Sequence, residues 1–147
     1  MTLYDRTVQV VDLAIDNRVT VSWRHNLLRA LVVHPQYADH PASRRIVAWL
    51  ADRQTRQGNW GDDIPFYQAL NALAHLHTPA ADRQTKRAID LLTATQQADG
   101  SWGASQRLWC TFLAVHALRG GNRDEFWAEY RRSLACYRAS GQHLWRT

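Results

Sequence analysis

Arg53-Gln54-Thr55-Arg56-Gln57-Gly58-Asn59-Trp60-Gly61 returns as Thr95-Gln96-Gln97-Ala98-Asp99-Gly100-Ser101-Trp102-Gly103, forty-two positions later. The shared pattern is Gln-x-x-x-Gly-x-Trp-Gly, and likeness extends beyond it on both sides. Upstream, Arg45 matches Arg87 and Leu50 matches Leu92. Downstream, Leu70, Ala72 and Leu73 match Phe112, Ala114 and Val115. A constant period of this length marks a stack of similar supersecondary units, so the fold is read from the repeat.

Each unit has the same anatomy. A helix over residues 43–57 carries Ile46, Val47, Trp49 and Leu50 at helical spacing and is expected to stop at Gly58. Its copy over 82–99 carries Ile89, Leu91 and Leu92 and is expected to stop at Gly100. Glycine suits a helix end because it enters the left-handed region without a Cβ clash. A second helix follows in each unit, over 65–77 and 107–119, with Pro65 in a first turn where its missing N–H is not needed. The pattern also runs backwards: 21–34 aligns with a second helix, and 3–16 would be the helix before it. Forwards, 124–140 opens a fourth unit, and Gly141-Gln142-His143-Leu144-Trp145 is a degraded echo of the signature. The expectation is an all-α chain of about seven helices, or three and a half hairpins, in one domain over 1–147. Its units are 1–34, 43–77, 82–119 and 124–147.

Composition agrees with that class. A chain of 147 residues, 46% hydrophobic, can bury a core, and four prolines with no alternating runs argue against strands. No membrane-length apolar run and no signal peptide are visible, so a cytoplasmic protein is expected, peripheral membrane contact remaining open. Cys110 and Cys136 lack the spacing of a disulfide framework and read as reduced, packed thiols. The net charge of +5 comes from seventeen arginines and the single Lys86 against thirteen acids. These arginines scatter over every helix, with no dense basic run interleaved with aromatics. They read as solvated outer faces rather than a nucleic-acid surface.

The Gln-x-x-x-Gly-x-Trp pattern, followed by Thr111-Phe112-Leu113-Ala114-Val115-His116-Ala117-Leu118, resembles the QW repeat of triterpene cyclases and the wider superfamily of squalene cyclases, class II diterpene cyclases and prenyltransferase β subunits. The resemblance implies a partial α/α toroid, with first helices outside and second helices around a cavity for an apolar, isoprenoid substrate. By the same resemblance Gln54, Gly58, Trp60, Gln96, Gly100 and Trp102 are structural, joining adjacent hairpins. The physical reason stands without the family. A glutamine offers both an amide donor and an acceptor, and a tryptophan supplies a broad apolar face with one N–H to pair. The cavity wall implied by the resemblance is Trp23, His25, Asn26 and Arg29, then Phe66, Tyr67 and Asn71, then Trp109, Cys110 and His116, with Trp23, Phe66, Tyr67, Trp109 and Cys110 as the substrate-binding residues. Aromatic faces stabilise cationic intermediates and an apolar wall excludes water, although aromatics at helical spacing also build ordinary cores.

The acid that such cyclases use, Asp-x-Asp-Asp before an inner helix, has no counterpart here. Trp109-Cys110 and Tyr67-Gln68 occupy the matching positions. Asp62-Asp63 offers the nearest carboxylates, either as a proton donor or as a charge cluster favouring the helix that begins near Pro65. His25 or His116 would accept the proton. No aspartate-rich Mg²⁺ motif follows Asp62-Asp63, and Cys110 with His116 lacks the remaining zinc ligands, so no metal or cofactor is expected. His75 and His77 read as capping or solvent residues.

Two functions follow. One is a terpenoid cyclase-like enzyme or subunit acting on an isoprenoid; the alternative is a non-catalytic helical-repeat module that binds a partner or an apolar molecule. A piece of a longer cyclase is a third reading, against which Met1 and the lack of a linker-like tail weigh. A short open stack leaves apolar ends, and Phe126, Trp127, Tyr130, Leu134 and Tyr137 recur at helical spacing in the last segment. Association is therefore expected, as a homodimer or with a second, toroid-completing chain.

Overall fold

A computed structural model describes residues 5–9, 11, 21–32 and 35–120, the side chains of 21–25 and 35 excepted. The fourth unit (124–147), with Cys136 and the apolar last segment, lies outside the described residues. So do the side chains of Trp23 and His25, which fall in the first turns of a helix. The chain is all-helical, with seven helices and no strand among the described residues. They are α1 (5–9 with 11), α2 (Val21–Val32), α3 (Pro35–Ala38), α4 (Pro41–Ala51), α5 (Phe66–Ala74), α6 (Pro79–Ala94) and α7 (Arg107–Leu118).

The helices form two rows. Second helices α2, α5 and α7 pack side by side, first helices α4 and α6 do the same, and α4 on α2 and α6 on α5 join the rows. One core runs between them, with Leu28 and Leu31 of α2, Ile46 and Leu50 of α4, Leu70 and Leu73 of α5, and Leu92 of α6 all buried. Burying such side chains, at roughly 1.5–3 kcal/mol each, is what holds the rows together.

Helix boundaries differ from the sequence expectation in an instructive way. α4 and α6 begin earlier, because His40 Nδ1 accepts from Ala42 N at 3.2 Å and Thr78 Oγ1 from Ala81 N at 3.3 Å, each followed by proline. Both also end earlier, at Ala51 and Ala94, so Gly58 and Gly100 are not helix-stop residues. Instead the repeated stretch folds as a separate loop, built identically twice. Thr55 N donates to Asn59 O at 2.8 Å and Gly58 N to Thr55 O at 3.1 Å; Gln97 N donates to Ser101 O at 2.9 Å and Gly100 N to Gln97 O at 2.8 Å. The glutamine amide closes each loop, Gln54 Nε2 to Gly58 O at 3.0 Å and Gln96 Nε2 to Gly100 O at 2.9 Å. The glutamine thus satisfies a loop carbonyl rather than a helix-terminal one, and Gln54 also reaches the neighbouring unit's backbone at Gln84 O, 2.8 Å away. Short α3 has no counterpart in the expected pattern, and Pro65 stands just before α5 rather than within it.

Gln84 of α6 joins the two units. Its Nε2 donates to Val47 O at 3.0 Å and Ala80 O at 3.2 Å; its Oε1 accepts from Trp60 Nε1 at 3.3 Å; its own carbonyl accepts from Gln54 Nε2 at 2.8 Å. It is 1% exposed, so every bond it loses leaves a partner dry. Replacing Gln84 by leucine should lower unfolding free energy by about 2–3 kcal/mol, because the Trp60 indole N–H is left unpaired. Urea unfolding measures this, and an unchanged midpoint would remove Gln84 from the joint.

Trp102 is as buried as Trp60, at 4% against 3%, but its indole N–H goes to Leu92 O of its own unit at 2.8 Å. The rings serve one core with different acceptors. No described helix is long and apolar enough to cross a membrane.

Candidate functional site

The chemistry-bearing side chains gather on the second-helix row, where α7 lies against α5. Asn71, 7% exposed, donates through Nδ2 to His116 Nδ1 at 2.9 Å, and His116 is itself 3% exposed. One turn on, His75 Nδ1 lies 2.6 Å from Asn71 O. A carbonyl oxygen only accepts, so His75 carries its hydrogen on Nδ1. An amide nitrogen only donates, so neutral His116 carries its hydrogen on Nε2. The two imidazoles are stacked, centroids 4.9 Å apart and planes 17° from parallel.

That stack continues along α7. Phe112 lies over His116 at 6.2 Å and 26°, and Trp109 over Phe112 at 5.6 Å and 18°. Helical spacing explains the order, since positions three and four apart share a face. The outcome is a ladder of four rings, Trp109, Phe112, His116 and His75, in which His116 is buried and the other three are half-buried. A groove of about 200 Å³ runs beside it, lined by Leu108, Thr111, Phe112, Val115 and His116.

A second aromatic run flanks the start of α5. Trp60 meets Phe66 at 6.0 Å, and Phe66 meets Tyr67 edge-on at 5.2 Å. Tyr67 lies close enough to Cys110 for the two to sense each other's charge. Burial first, then Cys110, pushes the phenol up, while a hydrogen bond with the Gly103 backbone opposes them. Burial likewise raises the Cys110 thiol, whose Sγ donates to Ser105 O at 3.6 Å. Cys110 is therefore a free, protonated thiol at neutral pH.

Of the wall residues singled out by sequence, Phe66, Tyr67, Trp109 and Cys110 all sit at the adjacent starts of α5 and α7. Asp62 and Asp63 stand exposed in the turn between Trp60 and α5. Burial is one of the devices that poise a carboxylic acid for proton donation, and neither residue receives it. His77 is exposed with φ at +46°, whereas His75, the C-cap of α5, takes the capping role, its Nδ1 donating to Asn71 O, and also stacks on His116. Half-buried Arg29 of α2 stands one repeat period before Asn71. Burial lowers its pKa, and its guanidinium meets Asn26 Oδ1 at 3.4 Å. Among the described residues no group of three or more His, Cys, Asp or Glu is placed to hold a metal ion.

Sequence reading missed Gln84 and the pairing of His75 with Asn71 and His116. One signal was available for the latter: the repeat period sets His116 opposite Ala74, next to His75. Nothing comparable marks Gln84, whose counterparts one period away are Ala42 and Phe126.

With this geometry in hand, two curated bacterial proteins prove similar to part of the chain. A labda-7,13-dienyl diphosphate synthase of Streptomyces clavuligerus is 35% identical over 77 residues, covering 48% of this chain and 14% of that protein. An ent-copalyl diphosphate synthase of Streptomyces sp. (strain KO-3988) is 37% identical over 71 residues, covering 44% of this chain and 14% of that protein. The chain thus spans about a seventh of the length of the relatives it matches. These partial similarities support a terpenoid cyclase-like relationship. No protein-family model matches the chain, and no solved structure matches it significantly.

Proposed function

We propose that this chain is a terpenoid cyclase-like helical-repeat protein, part of an α/α toroid, that takes an apolar isoprenoid against its second helices. The observation that carries the reading is the ring ladder Trp109–Phe112–His116–His75 beside a groove, with Phe66 and Tyr67 at the start of the neighbouring α5. Stacked π faces suit a polyene and the cations it forms, each contact being worth about 0.5–2 kcal/mol to a cation. The similarity to two diphosphate synthases supports an isoprenoid diphosphate as ligand, and half-buried Arg29 of α2 is a cation on the same row that would meet its charged end.

If proton transfer occurs here, the bond pattern divides the two histidines. His75 donates its Nδ1 proton to Asn71 O, and neutral His116, accepting from Asn71 at Nδ1, holds its proton on Nε2. The exposure of Asp62 and Asp63 favours the alternative of a binding module without chemistry, since no buried acid faces the ladder among the described residues.

Native mass spectrometry with geranylgeranyl diphosphate and, separately, squalene separates these possibilities. One bound isoprenoid is expected, and Trp109→Ala should weaken it about tenfold, the equivalent of one lost ring contact. Asp62→Asn and Asp63→Asn should leave binding intact while removing any turnover that depends on them. Absence of binding by either probe would sink the reading.

A further inference from the structure

The two first helices do not start at the same point of the repeat. α6 begins at Pro79, the counterpart of Tyr37 one period earlier, whereas α4 begins only at Pro41. Pro79 and Ala80, in this extra first turn of α6, line a groove of about 300 Å³. Its other walls come from the end of α3, the first two turns of α4 and the loop before α6. None of its lining residues belongs to the ring ladder or to the aromatic run at the start of α5.

The walls are apolar. Val47 is 3% exposed, and Ala38, Leu76 and Ala80 are half-buried, the last two packing against the core. The polar side chains are two arginines and two hydroxyls, with no carboxylate. Ser43 spends its hydroxyl hydrogen on Tyr37 O at 2.7 Å. Thr78 Oγ1 accepts from Ala81 N and keeps its own hydrogen to give. Arg44 is held by Asp39, through Nε at 3.1 Å and Nη2 at 2.9 Å. Arg83 has no ion-pair or hydrogen-bond partner among the described residues. The groove is therefore apolar along its walls and carries one uncommitted guanidinium and one uncommitted hydroxyl hydrogen.

We propose that it binds a compact amphiphilic monocarboxylate, the chain lying against Val47, Leu76 and Ala80 and the head on Arg83 and Thr78. A guanidinium fork meets a carboxylate through two parallel N–H···O bonds. One free cation neutralises one charge, which favours a monoanion over a phosphate ester. The space holds about ten water-sized groups at ~30 Å³ each, and so a chain of about eight carbons with its head. That is the low end of ligand-pocket volumes, roughly 300–1,000 Å³, and too small to enclose a geranylgeranyl chain. Occupancy here is independent of what the second helices take.

Isothermal titration calorimetry of the full chain with sodium octanoate tests this, with octan-1-ol as the uncharged probe and octyl phosphate as the doubly charged one. One octanoate per chain is expected. Arg83→Gln should weaken octanoate about fivefold, the upper end for an ion pair at a solvent-facing rim, and leave octan-1-ol unchanged. Ala80→Phe fills the groove and should remove both. Arg87→Gln makes the same charge change one turn further along α6, outside the groove, and should leave octanoate binding unaltered. Equal weakening by Arg83→Gln and Arg87→Gln would mean general attraction to a basic surface and overturn the proposal. So would an absence of binding at millimolar octanoate, or tighter binding of octyl phosphate than of octanoate. If Ala80→Phe does not fold, the two glutamine variants decide.

Discussion

Trp60→Ala should lower the unfolding free energy by about 3–5 kcal/mol, the range for losing a buried aromatic side chain with incomplete collapse of the space. Trp60 is 3% exposed and lies against Phe66, and its N–H donates to Gln84 Oε1. Removal therefore empties the core between units and strips a hydrogen bond from a residue with 1% exposure. Trp102→Ala empties a similar volume but leaves only a helix carbonyl, Leu92 O, without its extra donor. That carbonyl lies at a helix end, so the expected cost is the smaller of the two. Chemical denaturation monitored by far-UV circular dichroism measures both. A loss below about 1 kcal/mol for Trp60→Ala would mean that the indole does not join the units.

Gly58→Ala should be nearly as damaging, and its twin should not be. Gly58 has φ at +99°, and a Cβ there would lie 2.3 Å from Arg87 O, a backbone atom that cannot swing aside. Left-handed backbone for a residue with a Cβ costs on the order of 1–3 kcal/mol, and forcing the loop off α6 adds roughly as much again. We expect at least about 3 kcal/mol in all. Gly100 has φ at +82° with no close neighbour, so Gly100→Ala should cost only the conformational part, about 1 kcal/mol. Thermal melts of the paired variants thus report on the joint twice. Equal and small losses in both would show that the loop does not touch α6.

These effects turn on contacts made between units, and that is where legibility in the sequence divides. The period, the all-helical class and the identity of the repeated glutamine, glycine and tryptophan were readable because each is a local or self-comparing signal. Helix ends were not. His40-Pro41 and Thr78-Pro79 start α4 and α6 earlier than the apolar spacing indicates, since a cap spends no hydrophobic residue and leaves no mark on that spacing. Both helices stop well before their glycines, because the intervening residues satisfy their polar groups in a loop that apolar spacing does not encode.

The candidate site splits the same way. Trp109, Phe112 and His116 share a helical face, so their ladder is implicit in positions three and four apart. Their continuation onto His75 is not, because it depends on how α5 and α7 approach, and the Asn71–His116 bond spans 45 residues. Gln84 is the sharpest case. It reads as an ordinary polar residue on a charged helix, yet four hydrogen bonds from three elements converge on it.

By itself, then, the sequence determined what repeats: helical pairs, a shared loop and the rings that fill the space between them, all consequences of short-range periodicity. Only the tertiary structure decided which polar groups lose water together, since desolvation is set by the approach of separate helices. That is why Gln84 and the Asn71–His75–His116 cluster emerge from packing rather than from any motif.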